Sequence, residues 1–490
     1  MCAKNSNVKL PTRVIDLGPP GATSIPYVLE TGDMYGSYLA LSYCWGTSLA
    51  GSPPNITTTP SNLKERKRRI SNDELPQTIQ DTIYIARALT IRYIWVDALC
   101  ILQGPSSEAR VDWERESVKM ANTYRDAFLT ISASNSSSVH QGFLHKRART
   151  GPSHVKVSFQ RSEPYHPVDA LLGFPASGYA EDFIEEPLNL RGWTLQESLL
   201  STRQLICGNA EFGWVCQGFS EHECGQLLMP VNGEWLKRRQ NASKDQYGVE
   251  WRAVAMQFSP RALTAPSDKL PAISALAMLQ SLRRGADDAY LAGLWKNSLF
   301  DDLLWRVTKR NAGHVHLERY RAPSFSWTAV DAQITFDLGE SPCHCALVDF
   351  DIQPTGINPF GEVSSGWIRL KGPLQKVRSL VASPYPKVIC CDKEGPVHLW
   401  GDATLDVLGN KEIDKMRNRR EDITEMVLDF LKPAGNEFWL LQLRDEHAIL
   451  LVRVTDAARK GKFRRIGLVD LTGHGTGQFR SVVKEDVEII

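Results

Sequence analysis

Between residues 38 and 133 the hydrophobic pattern switches period four times, and that alternation constrains the fold more than any other feature of the chain. The stretch "YLALSYCWGT" (38–47) opens with Tyr38, Leu39, Ala40 and Leu41 in a row, as a buried strand does. In "TIQDTIYIARALT" the residues Ile79, Ile83, Ala86 and Leu89 recur at steps of 4, 3 and 3, the stripe of a surface helix, and Pro76 suits its entry. "RYIWVDALCI" (92–101) is a second short apolar run, and "AFLTISAS" (127–134), rich in β-formers, is a third. Between those two runs "SEARVDWERESVKMANTYRDA" lacks Gly and Pro and reads as a helix. Strand, helix, strand, helix, strand predicts an α/β domain with a parallel sheet.

Order is then interrupted by a Ser-, His-, Pro- and Gly-rich stretch from 134 to 187. "NLRGWTLQESLLSTRQLICG" resumes it with a helix from about Trp193 to Thr202, leading into one strand through "QLICGNAEFGWVCQ". Residues 245–310 read mainly as helix, in "DKLPAISALAMLQSLRR" and "AYLAGLWKNSLFDDLLWRV". Past 321, short β-type runs such as "GWIRLKG", "EFWLLQL" and "AILLVRV" dominate. For 490 residues, two or three domains are expected. The divisions predicted are an extension at 1–37, the α/β domain at 38–220, a helical region at 221–330 and a β-rich module at 331–490.

Lys plus Arg number 57 against 56 Asp plus Glu, so global charge gives no argument for nucleic acid or a membrane surface. No apolar run has the length of a membrane span, and the first residues lack the apolar core of a secretory signal, which predicts a cytoplasmic chain. The ten Cys form no CxxC pair and fit free thiols. Cys216, His222 and Cys224, or Cys343, His344 and Cys345, are at most metal half-sites without a second half, so no metal is expected. There is no GxSxG elbow, Walker loop or HExxH. "LVDLTGHGTGQ" (468–478) places Gln478 where a dinucleotide fingerprint needs its third Gly, and reads as a Gly-rich turn. "KERKRR" (64–69) reads as a solvated basic face.

In an open α/β sheet, ligands bind beyond the carboxyl ends of the strands. The first strand delivers Ser42, Tyr43, Cys44, Trp45 and Gly46 there, and the second delivers Asp97, Cys100 and Gln103. On the helix that follows, Trp113, Met120 and Tyr124 share a face, with Glu116 at one edge and Glu114 on the other flank. Spacing alone favours reading Glu116 as a boundary residue paired in solvent with its neighbours Arg115 or Lys119. Cys44 and Cys100, with apolar flanks and no near His, read as small buried side chains.

"YLALSYCWG", "LPQTIQDTIYIARALTIRYIWVDALCILQ", "DWERESVKMANTYRDAFLTISAS" and "LRGWTLQESLLSTRQLI", in that order, resemble the heterokaryon incompatibility (HET) domain of filamentous fungi. "RALTAPSDKLPAISALA", "YLAGLW", "DLLW" and "APSFSWTAVD" resemble the segments that commonly follow it. The resemblance implies non-self recognition between fungal cells, with cell death on allelic mismatch. It further implies a remote likeness to TIR domains, hence a flavodoxin-like parallel sheet and NAD as a substrate rather than a cofactor. On that likeness Glu116 is the catalytic carboxylate, with Glu114 as rival, and Ser42, Tyr43, Trp45, Gly46, Asp97, Gln103, Trp113, Arg191 and Glu197 shape the substrate site, Arg191 meeting the pyrophosphate. Expected partners are the product of an incompatible allele and further copies of the chain. Two other readings stay open: a self-associating adaptor without catalysis, and an accessory lyase or cyclase of a specialised-metabolite pathway.

Overall fold

A computed structural model describes residues 7–21, 24–46, 55–145, 155–159, 168–172, 186–216, 220–223, 244–310, 320–382, 386–390, 401–406, 437–454, 461–472, 479 and 482–490. The chain divides into two compact units, Met1–Arg239 and Gln240–Ile490. The Gly-rich segment 473–478 lies outside the described residues.

The first unit is built on an eight-stranded sheet. Its elements in chain order are β1 (Arg13–Asp16), β2 (Tyr27–Glu30), β3 (Tyr38–Ser42), α1 (Gln77–Ala88), β4 (Tyr93–Trp95), α2 (Ser107–Asp126), β5 (Leu129–Ser132), α3 (Trp193–Leu200), β6 (Arg203–Cys207), β7 (Phe212–Cys216) and β8 (Ser220–His222). Across the sheet they run β8-β7-β6-β5-β3-β4-β1-β2. The central four, β6, β5, β3 and β4, are parallel, and the flanking strands are antiparallel. The expected parallel sheet is therefore the centre of a larger mixed one. Residues expected as an N-terminal extension supply β1 and β2, four-residue strands too short to show a period. The single strand expected through "QLICGNAEFGWVCQ" is the β6–β7 hairpin, turned where Gly208 N donates to the Glu211 carbonyl at 3.1 Å.

Parallel neighbours require crossovers, and here helices supply them. β3 lies between β4 and β5, so the chain leaves the centre first in one direction and then in the other. Right-handed crossovers then put α1 on one face and α2 with α3 on the opposite one. α2 and α3 pack together there. α1 buries Ile79, Ile83 and Ala86, the stripe read from the sequence, while Leu89 falls at its C-cap, 43% exposed. α2 starts at Ser106, whose Oγ accepts from Ala109 N at 3.2 Å and so satisfies a free amide of the first turn.

The second unit begins with α4 (Lys244–Phe258) and α5 (Ser274–Arg284), followed by the antiparallel pair β9 (Trp305–Arg310) and β10 (Ala332–Phe336). The helix expected across "AYLAGLWKNSLFDDLLWRV" does not form. Gly293 turns the chain at φ +104°, single turns follow at Lys296–Ser298 and Leu299–Asp302, and the end becomes β9. The remaining strands are β11 (Ala346–Pro354), β12 (Val363–Ala382), β13 (Pro386–Cys390), β14 (Gly401–Leu405), β15 (Phe438–Gln442), β16 (His447–Arg453), β17 (Phe463–Asp470) and β18 (Lys484–Ile489). The path β12-β13-β14-β17-β16-β15 returns to β12, an antiparallel barrel without edges. β11 and β18 add to the first half of β12. Leu440, Ile449, Leu450 and Leu468 are among its buried residues. Among the described residues no helix is long and apolar enough to cross a membrane.

Candidate functional site

Alternation along β3 turns Tyr38 and Ser42 toward the face that carries α2 and α3. The Tyr38 hydroxyl donates to the Thr123 carbonyl of α2 at 2.6 Å, and Ser42 Oγ donates to Glu197 Oε2 of α3 at 2.5 Å. The Tyr124 hydroxyl, which donates to the Leu41 carbonyl at 3.3 Å, also meets the Glu197 carboxyl. Beyond the strand end, Arg191 Nη1 donates to the Tyr43 carbonyl at 2.5 Å, and Trp45 Nε1 donates to Asp97 Oδ2 at 2.9 Å. Asp97 opens the helical turn after β4 and takes the Ala98 amide on its other oxygen at 2.7 Å. Gly46 then bends at φ +89°, and a Cβ there would lie 2.7 Å from Ser138 Oγ, so the turn requires glycine.

Four residues expected at strand ends, Ser42, Tyr43, Trp45 and Asp97, are thus joined into one cluster with Arg191 and Glu197, which the family resemblance had added. Ser42, Tyr43 and Glu197 are buried in it, and Trp45, Asp97 and Arg191 are half-buried. Burial pushes the Glu197 carboxyl up to about 7, with the Asp97 charge adding, while Ser42, Arg191 and Tyr124 pull the other way. Burial likewise raises Asp97, opposed chiefly by the Arg191 guanidinium. The Tyr43 and Tyr124 phenols, raised well above their ordinary value by burial, stay neutral donors. A carboxyl that titrates near neutrality can both accept and return a proton, the property that general acid–base work needs. Burial raises the Cys44 thiol and pushes Cys100 up to about 12, so neither offers a thiolate.

The other expected residues lie around this cluster in different roles. Gln103 Nε2 donates to the backbone carbonyls of Ile101 at 3.2 Å and Asp97 at 3.5 Å, bracing the turn that carries Asp97. Trp113 packs edge-on against Trp193, ring centroids 6.1 Å apart, in the α2–α3 contact. Glu116 is buried, but it accepts from Thr12 Oγ1 at 2.8 Å and Lys119 Nζ at 2.9 Å, beside the Arg13–Asp112 pair. Those bonds tie α2 to the segment before β1, and the carboxylate that meets Ser42 is Glu197. Glu114 is exposed, 3.8 Å from Arg110. The contact that sequence reading missed is Tyr124, although its place on the Trp113 and Met120 face was the signal for it.

Among the described residues no three His, Cys, Asp or Glu side chains are grouped to hold a metal ion. His344 Nε2 faces Asp445 at 2.7 Å and Cys345 Sγ donates to the Gln442 carbonyl at 3.0 Å, while His222 Nδ1 faces Glu211 at 2.9 Å and Cys224 lies outside the described residues. Residues 38–197 match the family model of the heterokaryon incompatibility protein (HET). No curated protein and no solved structure matches the chain.

Proposed function

We propose that this chain, whose residues 38–197 form a HET domain, acts in heterokaryon incompatibility, sensing a non-self partner and triggering cell death through cleavage of NAD. The observation that carries the reading is the cluster inside the matched span, where Ser42 orients Glu197 and the half-buried Arg191 and Trp45 lie close by. The four parallel strands lie in the order second, first, third, fourth, the order of a flavodoxin-like sheet, which supports the TIR-like part of the proposal.

Nicotinamide leaves NAD as a neutral ring that takes the bonding electrons, so no general acid is needed. One carboxylate beside the oxocarbenium-like ribose suffices, where an O-glycosidase uses two. Glu197 in its ionised form stabilises that charge, and water then adds to the ribose carbon while its proton passes to the carboxylate. Arg191 has the fork geometry for a pyrophosphate, and Trp45 an indole on which a ring stacks. The partner is the product of an incompatible allele, met by a self-associated form of the chain.

The test expresses the parent, Glu197→Ala and Glu116→Ala in the host cell and follows viability and NAD content together. The expected outcome is that Glu197→Ala abolishes both death and NAD loss, while Glu116→Ala acts only through reduced stability. NAD that stays intact in dying cells would remove the enzymatic half of the proposal. The burial of Glu197 favours a second reading, an adaptor without catalysis, and in that case Glu197→Gln leaves death unchanged.

A further inference from the structure

The second unit contains a cleft of about 530 Å³ whose lining includes Arg306, Asp337, Glu340, Glu446, His447 and Asp470. Four carboxylates face one guanidinium there, and Arg306 Nε is already paired with Asp337 at 2.7 Å. Glu446 accepts from Ser341 Oγ at 2.5 Å and Asp470 from the Thr472 amide at 2.8 Å, neutral donors that leave both charges in place. His447 has a side chain only 6% exposed, and its Nε2 lies 3.6 Å from Asp337 Oδ2. Its Nδ1 is buried and has no hydrogen-bond partner among the described residues. The wall therefore offers acceptors and negative charge, which attract a donor-rich cation. The carboxylates are spread: no three of them, with or without His447, approach closely enough to hold a metal ion.

We infer that this cleft of the second unit binds a small organic cation with spaced N–H donors, of the linear di- or polyamine class. Separate ammonium groups reach carboxylates that a single ion cannot bridge.

Calorimetric titration of the full chain with spermidine at physiological ionic strength tests this. Saturable binding is expected, weakened about two- to fivefold for each carboxylate removed in Glu340→Gln and Glu446→Gln. Glutamine at 446 can still accept from Ser341 and Glu340 is exposed, so both variants keep the fold, which a melting curve verifies. Glu437→Gln, which removes a carboxylate paired with Lys376 and Arg453 outside the cleft, is expected to bind as the parent does. Absence of saturable heat, equal affinity in the Glu340→Gln/Glu446→Gln double variant, or binding of magnesium ion alone as tight as spermidine would each overturn the assignment.

Discussion

Glu197 titrates near 7 in the folded chain against 4.5 for an ordinary glutamate, because burial penalises its charge. Its proton stabilises the fold fully below about pH 4.5, and that contribution disappears as pH rises through about 7. By pH 8 the loss amounts to roughly 3 kcal/mol. Glu197→Gln is expected to remove this slope, so that urea denaturation finds the variant more stable than the parent at pH 8 and similar to it at pH 4.5; parallel profiles would contradict the assignment. Gly46→Ala, which places a methyl group against Ser138 at positive φ, is expected to cost more than about 1 kcal/mol in the same measurement. The cluster was legible because Ser42, Tyr43, Trp45 and Asp97 sit where strands end and ligand crevices form. Of the two partners of Glu116, Lys119 was legible as a helical neighbour, and Thr12 was not, since it lies 104 residues away on a segment with no periodic signal.

Among the elements, α2 depends on a buried ion pair for its seat against the sheet. Arg13 of β1 holds Asp112 through two nitrogens, at 3.0 and 2.5 Å, and donates to the Cys100 carbonyl at 2.7 Å. Both side chains are nearly inaccessible, so Arg13→Ala strands a buried carboxylate and is expected to cost about 3–5 kcal/mol. Arg13→Met combined with Asp112→Leu is expected to recover most of that loss, measured by thermal unfolding. α1, α2 and the apolar strands β3 and β5 were legible because length and period agree with burial. β1 and β2 were not, because four residues carry no period. The β6–β7 hairpin hid inside one apolar run whose turn, Gly208–Glu211, contains a single glycine. In "AYLAGLWKNSLFDDLLWRV" tertiary burial of Leu304 and Trp305 prevailed over helical propensity.

At the scale of the whole molecule each unit has its own core, and protection against hydrogen exchange is expected to follow it. In the first unit the amides of β3 and β5, paired on both sides, exchange last and those of β2 and β8 first. In the second, β16 and β17 exchange last, and mass spectrometry of exchanged peptides reads both patterns. Faster exchange in β3 than in β2 would contradict the sheet order. The barrel was legible only as a run of short β-type segments, since closure depends on pairings between β12 and β15 that no local pattern encodes. β12 spans twenty residues and is shared, its first half paired with β11 and β18 and its second with β13 and β15. One residue gained or lost within it would invert inside and outside along everything downstream in the strand. Descendants of this chain can therefore vary β12 by substitution, but length variation has to accumulate in the connections around it.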